Sequence, residues 1–271
     1  MKIGFIGAGN MGGAIIRGLV KHSDTAPSDI LFSRSDAQKG EALSKETGTV
    51  FTDTKNVINN CDIVFLAVKP YMIENIISAA SEEFAKAKPI LVSMAAGVGC
   101  EKIEKMLSDS SGRDDIEVIR IMPNVNAAVG KSVTAVCKGK NAADESIDRV
   151  KDLLGAIGSC VDVPENQFAV FSAIAGCSPA YVYMFIDALA EAALKAGMPK
   201  AKALEIAAGA VEGSAAMYLA TREHPAALAD KVCSPGGTTI EGVCTLKQRG
   251  FESTVIAAVD ASVEKDKKLG K

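Results

Sequence analysis

The sequence predicts an α/β protein built in two parts: a doubly wound, mainly parallel sheet over residues 1–162, then an all-α domain over 163–271. Three observations carry the prediction. Short β-rich runs alternate with helix-spaced segments through the first part, the pattern of βαβ units with helices on both faces of a sheet. A glycine-rich turn follows the first run and opens the first helical pattern. After Pro164 the strand signal fades, and segments rich in Ala, Gly and Ser follow one another at helical spacing.

Taken in order, the strand runs are KIGFIGAG (2–9), DILFSRS (29–35), TVF (49–51), DIVFLAV (62–68), PILVSMA (89–95), EVIRI (117–121), SVTAV (132–136) and CVDV (160–163). Between them, apolar residues recur at helical spacing, as in Met11, Ile15 and Leu19, or Ile73, Ile76, Ile77, Ala80 and Phe84. Beyond Pro164 the spacing predicts helices at about 165–196, closed by Gly197, at about 200–222, opened by Pro199, and at about 252–268. The second of these keeps one apolar face through Leu204, Ala208, Val211, Ala215 and Tyr218. Small side chains let helix backbones approach closely, which suits interleaving within or between subunits. The EKDKK run near the C-terminus reads as a solvated tail.

Composition limits the partners. With 48% hydrophobic and 23% charged residues over 271 positions, the chain is a compact, soluble, globular protein. A net charge of −3 and the lack of any Lys/Arg cluster give no attraction to nucleic acid, so a small molecule is the expected partner. The seven cysteines stand singly, without the paired spacing of a zinc site or a disulfide framework, and fit free thiols in a reducing cytoplasm. The N-terminal apolar run is too short and too glycine-punctuated for a secretory signal. Residues 169–186 carry no charge, but a central Ser-Pro, two tyrosines and no basic flanks favour core at a subunit interface over a membrane span.

Gly7, Gly9 and Gly12 form a G-x-G-x-x-G placed directly between strand and helix, the arrangement of a dinucleotide-binding turn in a Rossmann-type domain. Gly7 permits the tight turn, Gly9 lets the backbone approach a pyrophosphate, Gly12 permits close helix–strand packing, and the helix from about Met11 offers amides and a favourable dipole. At the end of the second strand, where an acid would accept from an NAD ribose, stand Ser33, Arg34 and Ser35. Hydroxyls and a guanidinium welcome a 2′-phosphate, so NADP(H) is preferred; an ordinary exposed arginine is the competing reading of Arg34 alone. Ligands of such sheets sit beyond the carboxyl ends of strands, which places Ala67, Val68, Lys69 and Pro70, with Ala95 and Ala96, beside the ribose and nicotinamide. Lys69 either bonds the ribose or orients its own loop. The run RIMPNVN (120–126), with Met122 and Pro123, either floors a substrate pocket or makes a Pro-Asn turn.

A nicotinamide supplies the hydride, so the protein has to position the acceptor and manage one proton. Proton shuttles are scarce: the only two histidines, His22 and His224, read as surface residues. Reducing a C=N bond asks less of an acid than reducing a ketone, because a protonated iminium is already electrophilic. The loop SPGGTT (234–239), opening a helix-like segment at about 239–248, offers consecutive amides, hydroxyls and a positive dipole end suited to a carboxylate. A ligand-free capping turn is the alternative, though the loop is longer and richer in glycine than a cap needs.

At these residues the chain closely resembles the pyrroline-5-carboxylate reductase family, which completes proline synthesis. The resemblance spans essentially the whole length: IGFIGAGNMGGAI, LAVKP, SMAAG, the R-x-M-P-N run and, most specific, HPAALADKVCSPGGTTIEGV (224–243). It implies a Rossmann domain followed by a helical dimerisation domain, with dimers interlocked through their C-terminal helices and often assembled into rings, commonly decamers, in the cytoplasm. It also implies that NADPH, or sometimes NADH, delivers hydride to the imine carbon of L-1-pyrroline-5-carboxylate to give L-proline. Position by position, Asn10 and Met11 then belong to the phosphate loop, Ser33 and Arg34 to the 2′-phosphate region, and Asn56 to the adenosine side. Ala67, Lys69 and Ala95 correspond to the nicotinamide–ribose side, and Ser234, Gly236, Gly237 and Thr238 to carboxylate contacts. Thr239 falls near the ring nitrogen as a proton donor, relay or orienting group, since a threonine hydroxyl is a weak acid. Two departures stand out: Lys231 where some members carry Asn, and Thr238 where some carry Ala, which makes the Thr238 side chain dispensable.

Two rivals remain in view. β-Hydroxyacid dehydrogenases share the plan but expect a lysine on the first long helix of the second domain, where this chain reads AGCSPAYVYMF and has none before Lys195. A nucleotide-sensing scaffold would keep the glycine turn and have no use for SPGGTT.

Overall fold

The computed structural model describes residues 1–269. Its eight-stranded sheet is built from β1 (Ile3–Ile6), β2 (Ile30–Ser33), β3 (Val50–Phe51), β4 (Ile63–Leu66), β5 (Ile90–Ser93), β6 (Val118–Met122), β7 (Ser132–Lys138) and β8 (Gly158–Asp162), in the order β3-β2-β1-β4-β5-β6-β7-β8. All eight predicted strand runs are present. Every neighbouring pair is parallel except β6 and β7. The segment 123–131 between those two holds only a short 3₁₀ turn, Val125–Val129, and is too brief for the crossover that a parallel pair demands.

Period-two alternation sends each strand's side chains to two separate cores. Ile3, Phe5, Ile63, Phe65, Ile90 and Val92 pack with Ile15, Ile16 and Leu19 of α1 (Asn10–His22), Leu43 of α2 (Ala37–Thr47) and Val150 and Leu153 of α7 (Asp144–Gly155). Ile6, Val64, Leu66 and Leu91 face Val57 of α3 (Thr54–Asn60), Ile73 and Ile77 of α4 (Ile73–Ala79), Phe84 of α5 (Ser81–Ala87) and Ile103 and Leu107 of α6 (Cys100–Ser111). The Ile73–Phe84 spacing thus forms two short helices, broken at Ala80, with the predicted face still buried. Phe5 and Phe65, register partners on β1 and β4, stack at 4.7 Å and 9°, an arrangement contributing about 0.5–1.5 kcal/mol beyond area burial.

Caps fix the helix starts around the sheet. Asp36 accepts from the Lys39 amide at 3.1 Å and Asp53 from the Asn56 amide at 2.9 Å, starting α2 and α3. α6 has only Gly99 at its N-cap, and the carboxylate of distant Glu165 takes the role, accepting from the Cys100 amide at 2.8 Å. A Cβ on Gly99 would lie 3.1 Å from that oxygen, so glycine leaves the carboxylate room. Glu165 also pairs with buried Arg120 at 3.1 Å, whose guanidinium lies 4.5 Å from the centre of the Phe168 ring.

The chain divides into two compact units, Met1–Gly176 with the stretch from Ser262 onward, and Cys177–Ala261. The helix predicted at about 165–196 is a composite: a 3₁₀ turn at Glu165–Gln167, α8 (Phe168–Phe171), a π-helical stretch Ser172–Cys177, and α9 (Ser178–Lys195). Pro179 explains the irregularity. It has no N–H for the carbonyl of Ala175 four residues earlier, and its ring crowds the preceding turn. That carbonyl accepts instead from Asn124 Nδ2 at 3.0 Å.

α10 (Lys200–Thr221), α11 (Pro225–Val232), α12 (Thr238–Gln248) and α13 (Phe251–Leu269) complete the chain. α11 lies where the sequence predicts no helix, and EKDKK, expected as a tail, continues α13. In the second unit, α9 packs on α10, and only the small residues Ala190, Ala203 and Ala207, with Pro179, are deeply buried. Large apolar side chains stay uncovered, among them Met184 at 73%, Leu219 at 58% and Ile256 at 62% exposure, as does Tyr218 of the predicted α10 face. The segment Glu165–Lys195 is long and apolar enough to cross a membrane by length and composition, and its most apolar window is only 17% buried. Within one chain the segment is therefore largely uncovered, and the expected burial is one at a subunit interface.

Candidate dinucleotide site and carboxylate loop

In the first unit the glycine turn sits where the strand order reverses, between β1 and β4. The Gly7 amide donates to the Ser33 carbonyl and the Ala67 amide to the Ile6 carbonyl, each at 2.9 Å, tying the carboxyl ends of β1, β2 and β4 together. Gly7 has φ +94°, and a Cβ there would lie 2.6 Å from Val68 Cγ1 and 2.7 Å from the Ala67 carbonyl oxygen. A Cβ on Gly12 would approach the Gly7 carbonyl oxygen to 2.5 Å. Folding alone therefore demands both glycines.

Gly9 is different. Its φ of −74° is open to any residue, and a Cβ built on it meets nothing within 4 Å. The protein leaves that space clear at the start of α1, where no side chain caps the first amides and no acid occupies the first turn. Exposed Asn10 and half-buried Met11 follow. Unclaimed amides, a positive dipole end and an empty approach suit a phosphate.

Around this turn, half-buried Arg34 reaches back to donate from Nη1 to the Ala8 carbonyl, so it braces the glycine elbow. Ser33 is buried and its hydroxyl is shared with Thr54 Oγ1 at 3.0 Å. Asn56 is exposed on α3, its Nδ2 donating to Thr52 Oγ1 at 2.7 Å. Ala67, Val68 and Pro70 are half-buried after β4, with Lys69 exposed; Ala95 is buried and Ala96 half-buried after β5. Met122 is packed with Ala135, Phe168 and Phe171, and Pro123 is buried beside it. The strand ends thus gather the predicted cofactor residues along one edge of the sheet. The sequence gives no local sign of Glu165, Arg120 or the Asn124 bond, each of which is made across long chain separations.

In the second unit, the loop is shaped by its own turn chemistry. The Gly237 amide donates to the Ser234 carbonyl at 3.0 Å, closing a turn with Pro235 and Gly236 at its centre, and Gly236 has φ +67°. Proline followed by a positive-φ glycine is what a type II turn requires. A Cβ on Gly237 would strike Ser234 Oγ at 2.2 Å. Gly237 then caps α12, with no side-chain bond to its first amides. Ser234 and Thr238 are exposed and Thr239 half-buried. The preceding α11 is opened by His224, whose Nδ1 accepts from the Ala226 amide at 3.2 Å, which gives that histidine a structural task.

A doubly wound sheet with a bare glycine elbow at its switch point, followed by a helical unit bearing a second uncapped glycine loop, defines a dinucleotide-dependent oxidoreductase of the sheet-plus-helices plan. Residues 2–97 match the family described as NADP oxidoreductase, coenzyme F420-dependent, and residues 165–269 match pyrroline-5-carboxylate reductase dimerisation. Pyrroline-5-carboxylate reductase of Escherichia coli is 40% identical over 271 residues, covering 100% of this chain and 98% of that protein. The Synechocystis enzyme of the same name is 36% identical over 272 residues, covering 100% and 99%. The crystal structure of Plasmodium falciparum pyrroline carboxylate reductase with NADP bound superposes with a TM-score of 0.88 at 27% identity, covering 100% of this chain and 98% of that one. The chain belongs to the pyrroline-5-carboxylate reductase family.

Proposed function

We propose that this chain reduces L-1-pyrroline-5-carboxylate to L-proline, with NADPH as the preferred hydride donor and NADH as the lesser one. The observation that carries the reading is the cleared space over Gly9 at an uncapped helix start, in a chain of this family. The turn Gly7–Gly12, with Asn10 and Met11, holds the pyrophosphate through amides. Arg34, with Ser33 beside it, faces the 2′-phosphate, and Asn56 the adenosine. Ala67, Val68, Lys69, Pro70, Ala95 and Ala96 border the nicotinamide ribose, and Met122 and Pro123 supply a rigid floor.

Ser234, Gly236, Gly237 and Thr238 receive the substrate carboxylate at the start of α12, where amides and dipole favour an anion. Thr239 orients the protonated imine nitrogen or relays a proton to it from water. The cofactor supplies the hydride; the protein's share is position, charge and the exclusion of water. Residues 1–162 serve as the cofactor domain and 163–271 as the dimerisation and substrate domain. A second copy, not lipid, covers the exposed apolar helices, and dimers assemble further into a cytoplasmic ring such as a decamer.

The test is NADPH oxidation followed spectrophotometrically with pyrroline-5-carboxylate, with 3-hydroxyacids and with no substrate. Turnover with the imine alone is expected, and its absence in folded protein would overturn the reading. Light scattering without detergent reads the subunit count.

A further inference from the structure

Outside this site, three reactive groups from distant parts of the chain meet in the first unit. Cys100 is the first residue of α6 and Cys137 lies on β7, directly opposite Arg120 of β6. Their sulfurs and a carboxylate oxygen of Glu165 all lie within 4.8 Å of one another. Cys100 is buried, whereas Cys137 is half-buried. Cys137 is thus the less buried of the two.

We propose that Cys100 and Cys137 form a redox dithiol that hydrogen peroxide closes to a disulfide. In the first step the Cys137 thiolate attacks a peroxide oxygen, the O–O bond breaks, and sulfenic acid and hydroxide form. In the second the Cys100 sulfur attacks the sulfenic sulfur, the S–O bond breaks, and a second hydroxide leaves. Taking up the two thiol protons, the balance is two thiols and one peroxide giving one disulfide and two waters, a two-electron oxidation reversed by a dithiol.

The setting assigns the two roles. The neighbouring Cys100 thiol draws the Cys137 pKa below its ordinary value, helped by Arg120 against burial and Glu165. The same proximity, together with burial, pushes Cys100 upward and keeps it a thiol. Arg120 is a fixed charge, buried, with its Nε unpaired. A bound cation fits less well, because the Glu165 oxygen is already engaged by Arg120 and the Cys100 amide.

Closure would reach the cofactor edge, a consequence that rests on the proposed function. A disulfide needs a sulfur–sulfur distance of about 2 Å, and Cys100 lies only a few residues beyond Ala95 and Ala96, so a shift of the first turn of α6 on closure would be felt there. The full-length protein is treated with hydrogen peroxide, alkylated and mapped as non-reduced peptides by mass spectrometry. A cross-linked peptide joining Cys100 and Cys137, lost on treatment with dithiothreitol, is expected. Cys100→Ser should halt at a sulfenic acid on Cys137 that dimedone traps. Several-fold slower NADPH turnover, restored by dithiothreitol and absent in Cys137→Ser, is the expected readout of the coupling to the cofactor edge. Both thiols remaining free under peroxide, or stoichiometric zinc held by the reduced protein and lost in Cys137→Ser, overturns the proposal. The peptide map decides it even if the enzyme assay fails.

Discussion

Asn124 Nδ2 donates to the Ala175 carbonyl at 3.0 Å, replacing the helical amide that Pro179 does not have. Asn124 is 4% exposed, its Oδ1 accepts from the Asn126 amide, and its own amide donates to Ser132 Oγ. One side chain thus ties the β6–β7 connection to the π-helical stretch. Asn124→Ala is expected to lower stability by about 1–3 kcal/mol, the cost of stranding a buried acceptor. The same substitution made on top of Pro179→Ala should cost less, because residue 179 then offers its own N–H. Urea unfolding of the four proteins measures the coupling, and additive losses would disprove it.

Gly9→Ala and Gly12→Ala separate binding from folding. Alanine at 12 meets a carbonyl oxygen at 2.5 Å and should destabilise by about 1–3 kcal/mol. At position 9 it enters open space, so stability should shift by less than about 0.5 kcal/mol. NADPH affinity should nevertheless fall about tenfold or more, or about 1.4 kcal/mol. Thermal melts and fluorescence titration report the two quantities independently.

Arg34→Asp should weaken NADPH by roughly 10–100-fold, the worth of a charge-assisted phosphate bond. The loss of its bond to the Ala8 carbonyl loosens the elbow for both cofactors, so the ratio of the two is the readout. Equal losses for NADPH and NADH in steady-state kinetics would refute the assignment.

Thr239→Val should lower kcat by on the order of tenfold or more while leaving NADPH binding intact. Thr238→Ala should stay within about twofold of wild type, because its contribution is a backbone amide. Reversal of that order would exchange their roles.

Acid should destabilise the first unit. Arg17 holds the Glu46 carboxylate below its ordinary pKa, and Arg113 with Lys88 does the same for Asp115. A depressed carboxylate contributes stability that is fully present above its unfolded pKa and is lost as pH falls through the folded one. Unfolding midpoints should therefore be flat near neutrality and decline from roughly pH 5 downward. Both pairs are half-exposed, so each contribution is small and sensitive to salt.

The strands were legible as short runs rich in Ile, Val and Phe, such as Ile63–Leu66, set between helix-spaced segments, because a strand buried on both faces is apolar throughout. The elbow at Gly7–Gly12 and the turn at Ser234–Gly237 were legible because glycine at fixed offsets has few explanations. What resisted reading is non-local. Nothing near residue 99 announces that Glu165 will cap α6, and nothing near 124 names Ala175. The Ser-Pro at 178–179 was visible as an obstacle to membrane insertion, but its effect on helical winding depends on a donor brought from another element. α11 is short, and its start is capped by a histidine, a weak signal beside Ser or Asp.

The uncovered helices of the second unit make subunit concentration a thermodynamic variable. With little more than Pro179 and three alanines at depth in Cys177–Ala261, association of the proposed dimer should supply its stability, so dilution should melt it sooner while the sheet, with its two full cores, persists. A newly synthesised chain would then pass through an interval in which the first unit is finished and the second awaits a partner copy, and the level of expression would set how long that interval lasts.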